Sequence, residues 1–585
     1  MADASPSSRG TTPTIHAPRR TLDEDHAPAV SSPLNPNPDV NNAGNTPTAR
    51  PRPAATKPLQ REQREKRETF KKREAHTPRG STPDVGGGSG SGSKQLKATA
   101  AAPATAVPSP MRYSIPEPRL SDYEGPKDPI FTSHEPVPFM TPDGERELKK
   151  PTDHAENKKA YRYTHCVADP LFRHKQFYRQ SDQKPYGPRM SFEDSDKWMH
   201  YDESGTFLTN EKGWRMARAN VVAREGSHYY EVKIVRGISR EGPPTAREGA
   251  PQPHIRMGWA RREAPLDAPV GFDSYSYGVT DMRFETMYRS RASRITQPGA
   301  NAPKPKQTTK NKRKASASEP PADYAREGDV IGLEINLPSI SLHQKVVEGY
   351  YNPAVDLSAG FDDPPGPAHD IIRDRIPVPY KGNVYFEQLE YQMTKGMEAY
   401  SDRGPFNKVT PSANHEDVSL RSLPHSSIKV YKNGKLIGTA FEDLMAFLPP
   451  ASAPQLSSGA RVGFDDGMLG YFPAIAAFSG GIAQLNFGPD FWCPPPHLVP
   501  EDVEMTDGPT SEGAGTTPSP LRPMLKAISD RFKEQIAEDV VWDLVDEVDF
   551  FMQDGGFSYT GENGKARRVV PTAGGIAKLK EEADD

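Results

Sequence analysis

The sequence has very little cysteine and no long apolar run. It contains two Cys among 585 residues, Cys166 and Cys493, with no CxxC pair and no Cys/His cluster. This excludes a disulfide framework and a zinc site. No stretch of about 18 apolar residues is present, and the N-terminal MADASPSSRG lacks the apolar core of a signal peptide. We expect a soluble protein of a reducing compartment, without metal, cofactor or membrane contact.

Aromatic residues are almost missing from the first part of the chain. Phe70 is the only one among residues 1–110, which hold 16 Pro and the run GGGSGSGS at 86–93. Such a composition cannot bury enough apolar surface to offset the entropy of ordering. We therefore predict that 1–155 is disordered. The basic stretch 61–74 fits either a solvated helix with i,i+4 pairs or a nuclear-import or nucleic-acid-binding patch.

Short strand patterns fill residues 156–500. HYYEVKIV (228–235) and AQLNFG (483–488) alternate between apolar and polar residues. In SSIKVYKNGKLIGTA (426–440) the alternation breaks at Asn433-Gly434, a pair that tolerates positive φ and predicts a type I′ hairpin turn. Helix–strand alternation is missing, which argues against a parallel α/β sheet. The pattern predicts a mainly β fold, an antiparallel β-sandwich.

Two polar segments interrupt this predicted sandwich. Residues 296–322 have no aromatic residue and carry six Lys or Arg between Lys304 and Lys314. A hydrophilic insertion of this kind must leave the sandwich as a surface loop. We place a second insertion near 340–375, with a Pro- and Asp-rich loop at 351–370.

A polar linker at 501–522 separates the sandwich from a segment with helical spacing at 523–552, and 553–585 forms a tail. Apolar residues recur every three to four positions in this segment: Leu525, Ile528, Phe532, Ile536, Val540, Val541, Leu544 and Val548. A helix with an apolar stripe needs something to cover it. It either folds back onto the sandwich or docks into a groove of a partner. Because a flexible linker precedes it, we favour docking.

Signatures of catalysis are missing as well. Asp465-Asp466 lies in GFDDGMLG, which is typical of a turn, and Cys493 in FWCPPPH fits a packed thiol at a strand end. The sequence has no GxxxxGK[ST] phosphate loop, and the glycines at 86–93 follow no strand. We expect a binding protein rather than an enzyme.

The strand sequences together resemble a SPRY domain, in the order expected of one. The matching strings are EKGWRMARAN, SHYYEVKI, IRMGWA, LDAPVGFDSYSYG, EGDVIGLEINLP, NVYFEQ, IKVYKNGKLIGTAFEDL, YFPAIAAF and AQLNFGP. APVGFDSYSYG, GDVIGLEINLP and LNFGPDFWCPP further resemble the Ash-two/Bre-two family. VWDLVDEVD at 541–549 resembles the helix by which family members bind a dimeric Dpy-thirty subunit. The resemblance covers roughly 161–500 and 525–551.

This resemblance implies a function. The family provides the SPRY-domain subunit of COMPASS-type (Set-one/MLL-type) complexes, which methylate histone H3 lysine 4. A member is expected to be a non-catalytic scaffold in the nucleus that regulates chromatin and transcription. The implied partners are a SET-domain methyltransferase, a Swd-one (Rb-binding-protein-five-like) WD-repeat subunit and a Dpy-thirty-like dimer.

The resemblance also implies binding residues. In the family, a basic pocket receives an acidic segment of the Swd-one-like subunit. The matching positions here are Arg256, Pro269 and Trp214, the last where a tyrosine is usual. Thr280 and Asp281 replace basic residues of relatives, which leaves Arg283 as the nearest cation. The residues expected to dock into the Dpy-thirty-like dimer are Ile536, Val540, Val541, Leu544 and Val548.

The basic insertion carries KNKRK at 310–314. This run is a candidate nuclear-localisation signal, formed by Lys310, Lys312, Arg313 and Lys314, although solvated charge runs of this length are common. Basic tracts of this kind also allow non-specific, salt-dependent contact with DNA or nucleosomes.

Two other classes of SPRY protein compete with this interpretation. One is an adaptor, such as a ubiquitin-ligase substrate receptor or a Ran-binding-type scaffold, and the missing RING cysteines argue against it. The other is an RNA-associated nuclear protein with a kinase-like domain, against which the missing phosphate loop argues.

Overall fold

The architecture is taken from a computed structural model of the chain. The structure describes residues 110, 113, 117–135, 137–152, 162–171, 178–240, 251–295, 324–363, 371–402, 409–455, 461–498 and 524–553. The predicted nuclear-localisation residues at 310–314, the linker at 501–522 and the tail after 553 lie outside these residues.

The described residues contain mostly short strands. In chain order these are β1 Phe131–Thr132, β2 Phe139–Met140, β3 Glu147–Leu148, β4 Lys150–Pro151, β5 Tyr163–Ala168, β6 Tyr178–Gln180, β7 Met190–Ser195, β8 Met199–Tyr201, β9 Phe207–Asn210, β10 Trp214–Ala219, β11 Gly226–Arg236, β12 His254–Ala260, β13 Ser276–Thr280, β14 Glu285–Tyr288, β15 Arg291–Arg294, β16 Val330–Leu337, β17 Pro377–Tyr380, β18 Asn383–Glu387, β19 Tyr391–Gln392, β20 Ser427–Lys432, β21 Lys435–Glu442, β22 Ala453–Pro454, β23 Phe472–Phe478, β24 Ile482–Asn486 and β25 Lys526–Ala527. The α-helices are α1 Ile340–Glu348, α2 Lys395–Ser401 and α3 Ile528–Gln553. Short 3₁₀ turns cover Leu120–Tyr123, Val418–Leu420 and Pro496–Leu498.

Two large sheets form the sandwich. Sheet A has the order β15-β14-β13-β12-β23-β10-β7, and sheet B has the order β21-β20-β16-β11-β24-β9-β8. Every neighbouring pair within both sheets is antiparallel. A smaller sheet has the order β17-β18-β5-β6, and β25 pairs with β11 in parallel. The predicted mainly β, antiparallel fold class is confirmed.

The core lies between sheets A and B. Alternate residues of β12 and β11 point inward from opposite sides, so that Trp259 and Tyr230 meet with ring centroids 5.1 Å apart and both are fully buried. The Tyr230 hydroxyl donates to the carbonyl of Gly258 at 2.5 Å, which satisfies the one polar atom of that ring. Two-residue alternation in the sequence therefore predicts the buried face of both strands.

The predicted hairpin is present between β20 and β21. Asn433 and Gly434 have φ of 49° and 77°, which is the conformation that the Asn-Gly pair tolerates, and Lys432 pairs directly with Lys435.

The predicted disorder of 1–155 extends too far, because the structure places 117–152 on the sandwich. Leu148 is fully buried with Phe207 and Ile482, and the backbone of Lys149 exchanges two 2.8 Å hydrogen bonds with that of Tyr201. The Phe131 ring packs edge-on to Phe192. The scarcity of aromatic residues in 1–110 does not continue beyond that segment. A few apolar residues are enough to order 117–152, because they pack against a sheet that is already formed.

The second predicted insertion begins with a helix rather than a loop. The Ser339 hydroxyl caps the start of α1 by accepting the Leu342 N–H at 3.2 Å, and Gly349 ends it with φ of 86°. Leu342 and Val346 are fully buried. Residues 340–348 thus belong to the core, 349–363 run mostly along the surface, 372–374 are buried, and 364–370 of the predicted loop lie outside the described residues.

Within the residues that the structure covers, no helix has the length and apolarity to span a membrane. The same residues contain no group of three or more His, Cys, Asp and Glu side chains able to hold a metal ion.

Candidate functional site

The first candidate site lies on the outer face of sheet A. In β12, Ile255 and Met257 are fully buried in the core, so Arg256 between them points to the other face. Arg256 pairs in register with Thr280 of β13 and Ala476 of β23. Both neighbours are small, which leaves the guanidinium room above the sheet.

Arg256 has no carboxylate partner among the described residues. Its Cζ lies 4.8 Å from the centre of the Trp214 ring, a cation–π contact, and its Nη1 makes a long 3.4 Å contact with the carbonyl oxygen of Val270. Its Nε is buried without a hydrogen-bond partner. Burial lowers the pKa of Arg256 to about 10, so the side chain keeps its charge at neutral pH. A charged guanidinium without a carboxylate partner is suited to receive a carboxylate.

Pro269 directly precedes Val270, whose carbonyl oxygen lies 3.4 Å from Nη1 of Arg256, because the loop between β12 and β13 is held down on the sheet. At Gly278 of β13, an added Cβ would lie 2.4 Å from the Val270 carbonyl oxygen and 3.3 Å from Cδ of Arg256. Only glycine allows the loop to approach this closely. The loop is further fixed by the Phe272 N–H, which donates to the Pro269 carbonyl at 3.0 Å.

An aromatic pair forms the floor of the site next to Arg256. The rings of Trp214 and Phe478 lie 5.2 Å apart, and Trp214 is half-buried. His254 lies in register with Phe478 and on the same face of β12 as Arg256. Sequence reasoning missed Phe478 and His254, although the two-residue spacing of His254 and Arg256 places both on one strand face.

Asp281 is directed to the end of β12 rather than to the Arg256 guanidinium. Its carboxylate accepts the Ile255 N–H at 3.0 Å and lies 3.0 Å from Nδ1 of His254. The carboxylate is buried, at 3% side-chain exposure. It is therefore committed to the end of β12, and its charge only partly offsets the lowering of the Arg256 pKa by burial, without an ion pair between the two side chains in the described structure.

Arg283 lies apart from the other residues predicted for this pocket. It is fully exposed in the turn between β13 and β14, at φ of 60°, and its side chain bonds to Tyr324. That hydrogen bond raises the pKa of Arg283. We define the arginine pocket by the residues that the structure brings together, namely Trp214, His254, Arg256, Pro269 and Phe478.

The second candidate site is carried by α3, whose first half is fixed to the sandwich. Ile528 is fully buried and Phe532 packs against the core. Gln535 accepts the Val222 N–H and donates to the Asn220 carbonyl, both at 3.1 Å. The prediction that this helix stands outside the sandwich is therefore wrong for its first half. The helix begins at 528, since 526–527 form β25 against sheet B.

The second half of α3 turns an acidic face toward the sandwich. Nη2 of Arg373 donates to Asp543 and to Asp546, both at 2.9 Å, and Arg375 pairs with Asp543 at 2.8 Å. A further pair joins Arg179 and Glu547 at 2.6 Å. Acidic residues at 539, 543, 546 and 547 share one helix face by their spacing. That spacing is visible in the sequence and was missed there.

The opposite face of this half is apolar and uncovered in the described structure. We call it the outer apolar face, formed by side chains that are 49–62% exposed: Val540, Val541, Leu544, Val545 and Val548. Four of these were predicted as docking residues, and Val545 was missed. The remaining predicted residue, Ile536, is half-buried where the two halves of the helix meet. The predicted apolar stripe is thus divided, its start inside the core and its end exposed.

These features define a class of protein: a two-sheet antiparallel β-sandwich with a pocket whose arginine has no carboxylate partner in the described structure, and with an attached helix that exposes an apolar face.

No family model matches the chain. Two curated relatives match over long stretches. COMPASS component cclA of Colletotrichum higginsianum is 44% identical over 92% of this chain and 89% of that protein. Set1 complex component ash2 of Schizosaccharomyces pombe is 33% identical over 75% of this chain and 52% of that protein. The chain belongs to this family of COMPASS components, which confirms the resemblance found in the sequence.

More distant matches extend the comparison. Set1/Ash2 histone methyltransferase complex subunit ASH2 of Drosophila melanogaster is 24% identical over 59% of this chain and 46% of that protein. A crystal structure of a human SPRY domain is 13% identical and covers 50% of this chain and 98% of that chain, with a TM-score of 0.22. That score carries no argument about the fold, which rests on the strand pairing described above.

Proposed function

We propose that this chain is a non-catalytic scaffold subunit of a COMPASS-type complex that promotes methylation of histone H3 lysine 4 by organising the SET-domain enzyme. One observation carries the proposal: a single sandwich holds both an unpaired arginine pocket and a helix with an outer apolar face. Family membership supports the same complex, since relatives bear the names of COMPASS and Set1 complex components.

The arginine pocket would bind an acidic segment of a Swd-one-like WD-repeat subunit. Arg256 supplies a guanidinium that stays charged and lacks a carboxylate partner within the described structure. Trp214 and Phe478 would contact the apolar parts of the segment beside the acidic residue. A charge-assisted hydrogen bond to a carboxylate contributes about 1.5–3 kcal/mol where water is excluded.

The outer apolar face would pack into the groove of a Dpy-thirty-like dimer. Full burial of a Val or Leu side chain contributes about 1.5–3 kcal/mol, so a half-exposed one adds about 1 kcal/mol. Five such side chains on one helix face are enough for a stable contact, and anchors at i, i+3, i+4 and i+7, as at 541, 544, 545 and 548, are the usual pattern of a helix that binds in a groove.

A scaffold with two surfaces can raise activity without touching substrate. If the chain binds the active arrangement of the complex more tightly than the idle one, it shifts the population toward the active arrangement. We place this activity in the nucleus, with the residues at 310–314 as the candidate import signal.

A reconstituted methyltransferase assay tests the proposal. The SET-domain enzyme with its WD-repeat subunits and the helical dimer is measured on histone H3 with and without this chain. We expect a higher rate of lysine 4 methylation when the chain is present. Equal rates would contradict the scaffold function.

Affinity purification of the tagged full chain from its native cells provides an independent test. We expect a SET-domain protein, WD-repeat subunits and a small helical dimer to co-purify. Recovery of cullin or spliceosomal proteins in their place would favour the competing adaptor classes.

A further inference from the structure

The second half of α3 reverses the usual arrangement of an amphipathic helix. Helices at a protein surface normally bury their apolar face and expose their charged face. Here Asp546 is 5% exposed and faces the sandwich, while Leu544 and Val548 are 51% and 62% exposed. A helix with this composition would lower its free energy by rolling over, unless something fixes its inner face.

Three arginines supply that fixation. Arg373 and Arg375 directly precede β17, and Arg179 belongs to β6, so the three come from two separate parts of the chain. Arg373 lies 8% exposed between Asp543 and Asp546, and also 3.6 Å from Asp539. Arg179 pairs with Glu547 near the end of the described side chains and with Asp169 at 2.8 Å. We call these three residues the arginine clamp.

The arginines of the clamp carry like charges, and the acidic face of α3 holds them close together. Burial and the neighbouring charge of Arg373 lower the pKa of Arg375, which means that the two cations repel each other. Asp543 offsets this repulsion by accepting from both. The pairs are partly or fully desolvated, and a charge left behind by removal of its partner is costly in such a site.

We infer that the arginine clamp is a positioning device: it keeps the second half of α3 helical and holds its outer apolar face toward solvent, ready for the helical partner. Beyond Gln535, the ion pairs of the described residues tie this half to arginines beside the smaller sheet, and Ile536 and Trp542 are the partly buried apolar side chains of this half. An isolated helical segment of this length is marginal in water. Without the clamp, the binding-competent helix would be only partly populated, and the apparent affinity would fall by that fraction. The inference rests on the proposed function for its partner, though not for the order of the helix.

Hydrogen exchange of the full chain tests the order of the helix without any partner. In Arg373→Ala, backbone amides at 540–548 are expected to exchange at least about tenfold faster, while those at 530–535 keep their protection. Lys533→Ala is the matched control. Lys533 is 69% exposed and pairs only with Asp530 on the solvent side, so its loss should change neither region.

Binding to a purified Dpy-thirty-like dimer, measured by calorimetry, tests the positioning. Arg373→Ala is expected to weaken binding on the order of tenfold although Arg373 does not lie on the outer apolar face. Arg373→Lys should restore part of the affinity, because it keeps the charge but not the fork that reaches both carboxylates.

The outcomes separate the clamp from the proposed function. Faster exchange at 540–548 with unchanged affinity would overturn the positioning role, and unchanged exchange would overturn the clamp. If wild type fails to bind the dimer at all, the proposed partner is wrong, and exchange alone decides whether the clamp orders the helix. If Arg373→Ala does not fold, Arg179→Ala, at a 36% exposed member of the clamp, gives the same readouts.

Discussion

Arg373 and Asp546 lie 173 positions apart in the chain and meet at 2.9 Å, each side chain only 8% exposed. A buried pair of this kind gains little net stability, because desolvation offsets most of the Coulomb attraction. Its effect is on geometry. The ion pair fixes which face of the helix meets the sandwich and which face remains exposed. If apolar contacts held the helix instead, the outer apolar face would be the one turned toward the sandwich.

Replacing Arg256 by Ala should weaken binding of an acidic peptide from the WD-repeat subunit by about 10- to 100-fold, the equivalent of about 1.5–3 kcal/mol. The fold should remain intact, because Arg256 makes no ion pair within the described structure. Calorimetry at fixed salt measures the loss. Arg283→Ala is the control, since Arg283 is exposed and bonds to Tyr324. An equal loss of peptide affinity in both variants would show that the overall positive charge, and not the position of Arg256, determines binding.

Leu544→Asp and Phe532→Asp should show different roles for the two halves of α3. Leu544 is half-exposed, so its replacement should change the free energy of unfolding by less than about 1 kcal/mol while abolishing binding of the helical dimer. Phe532 packs against the core, and a carboxylate there should destabilise the fold by about 3 kcal/mol or more. Thermal melts and dimer binding are measured in parallel. Equal melting losses for both variants would mean that Leu544 is buried in solution.

Gly278→Ala should disturb the arginine pocket from below. The new methyl group would lie 2.4 Å from the Val270 carbonyl oxygen, so the Pro269–Val270 loop must lift from the sheet. We expect a loss of about 1–3 kcal/mol in unfolding free energy, together with weaker acidic-peptide binding. Gly463→Ala is a control in open space, although its φ of 94° adds local strain. If Gly278→Ala binds the peptide as tightly as wild type does, the Pro269–Val270 loop does not contribute to the arginine pocket.

Asp273 predicts a pH dependence of stability. Burial raises the pKa of this carboxyl to about 6, although its Oδ1 accepts the Tyr275 N–H at 2.9 Å. The folded state therefore holds its proton more tightly than the unfolded chain between about pH 4 and 6. Over that window this group lowers stability as pH rises, by up to about 3 kcal/mol, and its effect is constant above it.

Asp273→Asn removes this titration and keeps the accepting oxygen. Relative to wild type, its unfolding free energy in urea should rise by up to about 3 kcal/mol between pH 4 and pH 7. Asp490→Asn, at an exposed position, should follow the wild-type profile. A constant difference between Asp273→Asn and wild type at all pH values would show that Asp273 is not the titrating group.

The arginine pocket was only partly predictable. Arg256, Pro269 and Trp214 were placed by resemblance, and the structure brings Arg256 against the Trp214 ring and against Val270, the residue after Pro269. Arg283 was chosen because it is the nearest cation in the sequence, yet a turn with positive φ directs it to Tyr324. Sequence proximity gives no direction to a side chain in a turn.

The sequence by itself has two Cys, no GxxxxGK[ST] motif and no run of about 18 apolar residues. Local patterns also determined the sandwich, since period-2 alternation and the Asn433-Gly434 turn depend only on neighbouring residues. They likewise predicted a helix at 523–552, and the structure has one at 528–553. Which part of that helix is buried was decided by tertiary structure, because the pairing of Arg373 with Asp546 depends on residues far apart in the chain. The same holds for the unpaired state of Arg256, since Asp281 is held by His254 and by the backbone of β12.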